Sequence, residues 1–289
     1  MNNLKKENIL KSTLYIVPTP IGNIKDITIR ALLILKKVDI IASEDTRIIS
    51  NLLNFFFIKN SIFSFNKFNE IKKTKLLLSK LKEGKSIALV SNAGTPIIND
   101  PGYLIVKSCY KLGFRVIPLP GACAAITALS GSGIKSKRFC YEGFIPSKKK
   151  KCVHLLRSLK TEKRTLIFYE TSLRIIKTLK YMEKYFGCLR YIVIAREITK
   201  YWETIYGGTI IKILKWLQKD KIRYKGELSI IVEGYKKKKQ DINVNIINTF
   251  KFLLKELTFK KSIELTSNIY LIKKNFLYKK FLKYNKFIK

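Results

Sequence analysis

The chain has 289 residues, a length that suggests two domains. Its 47% hydrophobic and 27% charged content is that of a globular protein and excludes a disordered or fibrous one. Lys+Arg 58 against Asp+Glu 20 leaves a formal charge of +38, which excludes a polycation as partner and suits a polyanion such as nucleic acid.

The first half alternates short apolar runs with helical periodicity. A strand is expected at Leu14–Val17, a helix over Ile27–Lys37, a strand at Asp39–Ala42 and a helix over Arg47–Phe57. Strand Ile62–Phe65, helix Glu70–Glu83, strand Ile87–Val90, helix Tyr103–Lys111 and strand Arg115–Leu119 follow, then a small-residue helix at Ala122–Ser130. Gly84 and Gly113 stop their helices. Apolar strands separated by helices imply a parallel sheet covered on both faces. The polar run Ile134–Lys137 is the expected boundary, giving a first α/β domain over 1–134 that carries the ligand loops.

Past it the pattern gives strand Phe139–Phe144, a lysine loop at Lys148–Lys151, helix Cys152–Leu159, strand Thr165–Tyr169 and helix Ser172–Phe186. Strands Tyr191–Ala195 and Thr204–Tyr206, helix Thr209–Gln218 and strand Glu227–Val232 complete a second α/β domain over 135–236. The remainder, 237–289, reads as a basic helical tail with apolar faces, and no internal repeat is present.

Three loops rich in glycine or proline each follow a strand directly: Pro18–Asn23, Ser91–Pro96 and Pro118–Gly121. In an open parallel sheet such loops line the ligand crevice, and Gly94 and Gly121 would let main-chain amides approach a ligand. Standard nucleotide fingerprints are absent. Gly84-Lys85-Ser86 has Ser79 where a P-loop needs its first glycine, and Gly131-Ser132-Gly133 lacks a third glycine.

The five cysteines form no C-x-x-C pair, and His154 is the only histidine, so no metal site is expected and the thiols read as reduced, in a cytoplasmic protein. MNNLKKENILKS lacks the apolar core of a secretory signal. The charge-free stretch Val116–Ile134 is interrupted by Pro118, Pro120, Gly121, Gly131 and Gly133, too often for a membrane helix.

Acidic residues are few, so their places matter. Glu44-Asp45-Thr46-Arg47 follows a strand, and Asp100 sits in the turn after Ser91–Pro96. Asp45 or Thr46, and Asp100, read equally well as helix N-caps or as groups that position a substrate or accept its proton. The charge has two readings as well: lysine far outnumbers arginine, and Ile, Asn, Phe and Tyr are overused, as an AT-rich genome would impose.

The ordered motifs LYIVPTPIGNIKDITIRAL, ASEDTR, ALVSNAGTPIINDPGY, VIPLPGACAAITALSGSG, FCYEGF, TLIFYE and KGELSIIVEG resemble the tetrapyrrole methylase (class III methyltransferase) superfamily, in the branch that modifies small-subunit ribosomal RNA. The resemblance covers the chain from about Leu14 onward. It implies two α/β domains with an S-adenosyl-L-methionine cleft between them, a homodimer, and 2′-O-ribose methylation of a cytidine in the decoding centre of 16S ribosomal RNA. The same likeness places Pro20, Ile21, Gly22, Ala93, Gly94, Thr95 and Ile98 around the cofactor, with Gly121, Cys123 and Ala124 under its adenosine. Tyr169 and Glu170 would close the cleft.

Glu44, Asp45, Arg47 and Asp100 are the expected catalytic group, with Arg47 as a phosphate or carboxylate fork. Contact with 16S ribosomal RNA in the small subunit is expected from Lys148, Lys149, Lys150, Arg174, Arg196, Lys273, Lys274 and Lys279. The family usually has aspartate where Asn92 stands, proline at Ala122, and a His-x-His-Asn-Glu run at Asn66–Glu70, so both histidines of that run are gone and neither serves as the base here. Two other readings share these features: methylation of a tetrapyrrole-type small molecule, and a non-catalytic ribosome-assembly factor.

Overall fold

A computed structural model of the chain describes residues 9–236 and 244–285. Its first half contains β1 Thr13–Val17, α1 Ile29–Lys37, β2 Ile40–Ser43, α2 Thr46–Phe55, β3 Ile62–Ser64, α3 Glu70–Lys82, β4 Ile87–Val90, α4 Tyr103–Lys111, β5 Arg115–Pro118 and α5 Ala124–Gly131. The five strands pair in the order β3-β2-β4-β1-β5, all parallel.

Register explains why these strands are apolar throughout rather than alternating. Tyr15, Val17, Ile41, Ala88 and Val90 face one way and meet Ile34 and Leu35 of α1 with Ile49 and Leu53 of α2. Leu14, Ile16, Ala42, Ile87 and Leu89 face the other way, against Leu77 and Leu81 of α3 with Ile105 and Cys109 of α4. Both faces are therefore core, each large side chain contributing about 1.5–3 kcal/mol by leaving water. Helix starts are fixed locally. Thr28 Oγ1 accepts from Ala31 N (3.0 Å) to begin α1. Helix α4 begins at Gly102, which has no side chain to offer, so Glu70 Oε1 accepts from Gly102 N at 2.9 Å and Leu104 N at 3.2 Å instead.

The second half holds β6 Phe139–Phe144, α6 Lys149–Ser158, β7 Thr165–Thr171, α7 Ile175–Phe186, β8 Tyr191–Arg196, β9 Thr204–Thr209, α8 Ile210–Gln218 and β10 Glu227–Val232. Their order is β6-β7-β10-β8-β9, parallel between β6 and β7 and antiparallel elsewhere. Two features differ from expectation. The lysine run is not a loop: Lys148 is the N-cap position, and α6 opens on Lys149, since lysine is a good helix former and nothing breaks the run. Strand β9 continues past Tyr206 through Gly207 and Gly208. A Cβ on Gly207 would stand 2.5 Å from the Tyr191 hydroxyl, and one on Gly208 would stand 3.1 Å from Lys212 Cδ.

Ile21, Ala125, Ala128 and Leu129 of the first half pack with Ile167, Val193, Ala195 and Ile231 of the second, so the chain through Tyr235 is one compact unit with two sheets. A second unit follows, Lys236–Lys289. Its described residues form α9 Val244–Glu256, α10 Phe259–Tyr270 and α11 Lys274–Asn285 around Ile246, Phe250, Ile263, Leu277 and Phe281, with Phe250 and Phe281 stacked at 3.9 Å. The expected tail falls partly outside the described residues. Among the described residues, no helix is long and apolar enough to cross a membrane.

Candidate active site

Strands β4, β1 and β5 are neighbours, so the loops at their carboxyl ends meet. Thr19 and Gly94 exchange two backbone hydrogen bonds, each 3.0 Å. Thr19 Oγ1 donates to Ser91 O (3.0 Å), Ser91 Oγ to Gly94 O (2.8 Å) and Thr95 Oγ1 to Ala122 O (2.9 Å). This changes the expected use of the glycines. The Gly94 amide is committed to Thr19, and Gly94 is needed for its φ of +85°. Gly121 lacks a side chain because a Cβ there would lie 2.5 Å from the Pro18 ring.

Between these loops and the second sheet lies a cleft of about 400 Å³, within the range of small-molecule sites. Ile21, Ala93, Gly94, Thr95, Ile98, Cys123, Ala124, Tyr169 and Glu170 line it, together with Glu44 and Asp100. Pro20, Gly22 and Gly121 are not among the lining residues. Gly22 instead lets the first loop pack on the second half, where a Cβ would meet Lys200 Cγ at 2.5 Å and Thr199 Oγ1 at 2.7 Å.

The four expected catalytic residues separate into two pairs. Asp45 caps α2, accepting from Arg47 N at 2.9 Å, and the Arg47 guanidinium grips it through Nε (3.1 Å) and Nη2 (2.7 Å). The Arg47 hydrogen bonds hold the Asp45 carboxyl at about 2, too acidic to take up a proton near neutrality. Neither residue lines the cleft, and the Arg47 fork is engaged with Asp45.

Glu44 and Asp100 do line it. Burial, followed by the Glu44 charge, pushes the Asp100 carboxyl up to about 6, while Lys67 works in the opposite direction. Asp100 is carried by an unusual turn in which Ile97 and Asn99 have φ of 75° and 72°. The second sheet holds that turn: Asn99 Nδ2 donates to the Tyr141 hydroxyl, at a place where β6 slips register. Gly143 seats it, since a Cβ there would lie 2.8 Å from Asn99 Oδ1.

Tyr169 OH accepts from Ala125 N at 2.9 Å, and its ring meets Tyr141 edge-on with centroids 5.3 Å apart. Burial raises both phenols, that of Tyr169 to about 12, so both stay neutral. Glu170 is 2% exposed: its carboxylate meets Arg174 Nη2 at 2.5 Å, Thr171 N at 2.8 Å and Thr178 Oγ1 at 2.6 Å. It braces the wall of the cleft and leaves Arg174 tied back against the protein. Asn92 Oδ1 accepts from Asp45 N (3.1 Å), a bond that an aspartate would make equally well.

The expected RNA contacts are dispersed. Lys148, Lys149 and Lys150 are exposed at the start of α6, and Lys273, Lys274 and Lys279 are exposed in the second unit, Lys274 lying 3.5 Å from Glu264. Arg196 is a correction: it is 7% exposed on β8, too buried to reach an RNA surface. Sequence reasoning gave no role to Thr19, Asn99 or Tyr141, although each lies inside one of the motifs quoted above. Among the described residues, no group of three His, Cys, Asp or Glu is placed to hold a metal ion.

The loops of the parallel sheet thus face a mixed second sheet across a cleft lined by Glu44, Asp100, Glu170 and Glu227. The family model described as Tetrapyrrole (Corrin/Porphyrin) Methylases matches residues 13–213, and the chain belongs to that family. Within it, the chain falls with the ribosomal RNA small subunit methyltransferase I proteins. It is 55% identical over 258 residues to the one from Buchnera aphidicola subsp. Acyrthosiphon pisum (strain APS), covering 89% of this chain and 92% of that protein. It is 50% identical over 260 residues to the one from Escherichia coli O157:H7, covering 90% and 91%. The solved uroporphyrin-III-C-methyltransferase from Thermus thermophilus shares the fold, with a TM-score of 0.55 at 15% identity over 77% of this chain and 94% of that one.

Proposed function

We propose that the chain methylates the ribose 2′-oxygen of a cytidine in the decoding centre of 16S ribosomal RNA, using S-adenosylmethionine, as a cytoplasmic homodimer. The observation that carries the reading is the acid-lined cleft in a chain whose relatives, at about half identity over nine-tenths of its length, bear the name of that activity. The cleft suits the cofactor: its walls Ile21, Ile98, Cys123 and Tyr169 fit an adenosine, and its carboxylates fit a sulfonium and an ammonium. When bound, S-adenosylmethionine supplies an electrophilic methyl group.

The residues of this chain do the rest. The stitched loops fix one partner, and the second sheet brings the other into line with it. Asp100, with a carboxyl that titrates near 6 beside Glu44, is suited to accept the proton of a hydroxyl. Asp45 and Arg47 act on the start of α2 and through it on the position of Glu44. Because Asn92 keeps the hydrogen bond that joins two of the loops, its exchange for aspartate leaves the site assembled, which favours an enzyme over an assembly factor. The test incubates the protein with small subunits lacking the modification and a methyl-labelled donor. Label should enter one ribose and fall with Asp100→Asn. Cofactor binding by calorimetry without any labelling of the subunit would refute the substrate.

A further inference from the structure

A second concavity, about 580 Å³, lies at the outer edge of the second sheet. Tyr206 of the edge strand β9, Lys212, Lys215 and Trp216 of α8, Lys219 at its C-cap, and Arg223 in the short turn Lys221–Tyr224 are among its walls. Its lining carries four cations and no carboxylate. The inward face of α8 is supplied by Ile210, Ile213, Leu214 and Leu217, so the packing of the helix does not require the lysines.

The groove is ordered as well as charged. Tyr206 and Trp216 stack at 4.3 Å with an interplanar angle of 16°. The Arg223 guanidinium sits 5.2 Å from the Trp216 ring centroid, and its Nη1 donates to Trp216 O at 3.0 Å. The stem of Lys212 lies across Gly208, where a side chain would crowd it. Residues 212 and 215 of α8 and its C-cap residue 219, which keeps helical φ and ψ, form one row about a turn (~5.4 Å) apart. Genome bias scatters lysines; it does not set three of them in register over a fixed arginine and an aromatic floor.

We propose that this groove binds the phosphate backbone of a single-stranded segment of the RNA substrate. The proposal rests on the RNA-methylating reading above. Its test compares the triple variant Lys212→Gln, Lys215→Gln, Lys219→Gln with a charge-matched control, Lys36→Gln, Lys82→Gln, Lys111→Gln, whose positions are exposed in the last turns of α1, α3 and α4. Binding is measured to small subunits and to a labelled oligouridylate over a range of salt.

At about 0.7 in log–log slope for each single-strand phosphate contact, losing three contacts should flatten the salt dependence by about 2 and weaken binding tenfold or more at low salt. The control should bind as wild type does, and cofactor affinity should be unchanged in both. Arg223→Lys should also weaken binding, because an ammonium lacks the guanidinium fork. Equal slopes for the groove and control triples would overturn the proposal. So would a groove triple that alters only the sedimentation of the protein, which would assign the face to a second copy. If wild type leaves subunits unlabelled while oligouridylate binding still depends on the groove lysines, the methylation reading fails and the groove stands.

Discussion

Replacing Asp100 with Asn should make the protein more stable and less active, and the gain should depend on pH. In the folded protein the Asp100 carboxyl holds its proton up to about 6, against an ordinary value of 3.8. Between those two values the native state binds more protons than the unfolded chain, so stability declines as pH rises through the window and the full penalty is present above it. At about 1.4 kcal/mol for each tenfold change in proton affinity, the ceiling is about 3 kcal/mol, which water at the open cleft will reduce. Asp100→Asn removes the penalty. It should therefore stabilise by up to about 3 kcal/mol at pH 8 and by little at pH 4, while turnover on small subunits falls by about 10²–10⁴-fold. Urea unfolding followed by tryptophan fluorescence measures the relevant part of the molecule, because both tryptophans, Trp202 and Trp216, lie in the unit that contains the cleft. Glu44→Gln should shrink the gain, since its charge is the second cause of the displacement. An equal gain at both pH values would refute the ionisation argument, and a loss at pH 8 would mean that a partner stabilises the charged carboxylate.

Asp45→Ala should lower the melting temperature through loss of the α2 cap and lower kcat only modestly through displacement of Glu44, whereas Glu44→Gln should lower kcat more strongly with little change in melting; parallel assays on the two variants check the division. Gly94→Ala forces a side chain into φ +85° with its Cβ 3.2 Å from Ile21 Cγ2, and should cost about 1–2 kcal/mol and weaken cofactor binding, measured by calorimetry. Glu170→Ala leaves Arg174, Thr178 and the Thr171 amide without their acceptor and should destabilise by about 3 kcal/mol in the same urea assay. Deleting residues from 237 onward should leave cofactor affinity unchanged while weakening subunit binding, because the last three helices have a core of their own.

The fold was legible where a single physical rule decides. Uninterrupted apolar runs such as Ile87–Val90 belong to a sheet covered on both faces, and the loops after β1, β4 and β5 mark its ligand edge. It was less legible where long-range contacts override local signals. Gly207-Gly208 resembles a turn in sequence, yet it lies within β9 because Tyr191 and Lys212 cross it. The acidic residues near β2 could not be sorted by spacing. Asp45 and Glu44 are adjacent in sequence, and only the geometry of Arg47 shows which one is held as a cap. Asn99 read as a turn residue, but its bond to Tyr141 was not legible, since that partner is 42 residues away on the other sheet.

The crossed bonds among Thr19, Ser91, Gly94, Thr95 and Ala122 have an evolutionary consequence. Three segments far apart in the chain share one hydrogen-bond lattice that runs through main-chain groups at Gly94 and Ala122, so it tolerates a lone exchange such as Ala122 for the family's proline but depends on the hydroxyls of Thr19, Ser91 and Thr95. The opposite wall, with Phe144, Ser172 and Ser229, hangs from a separate sheet and takes no part in those bonds. Lineages descending from such an ancestor could remodel that wall for new acceptors while inheriting the donor end unchanged.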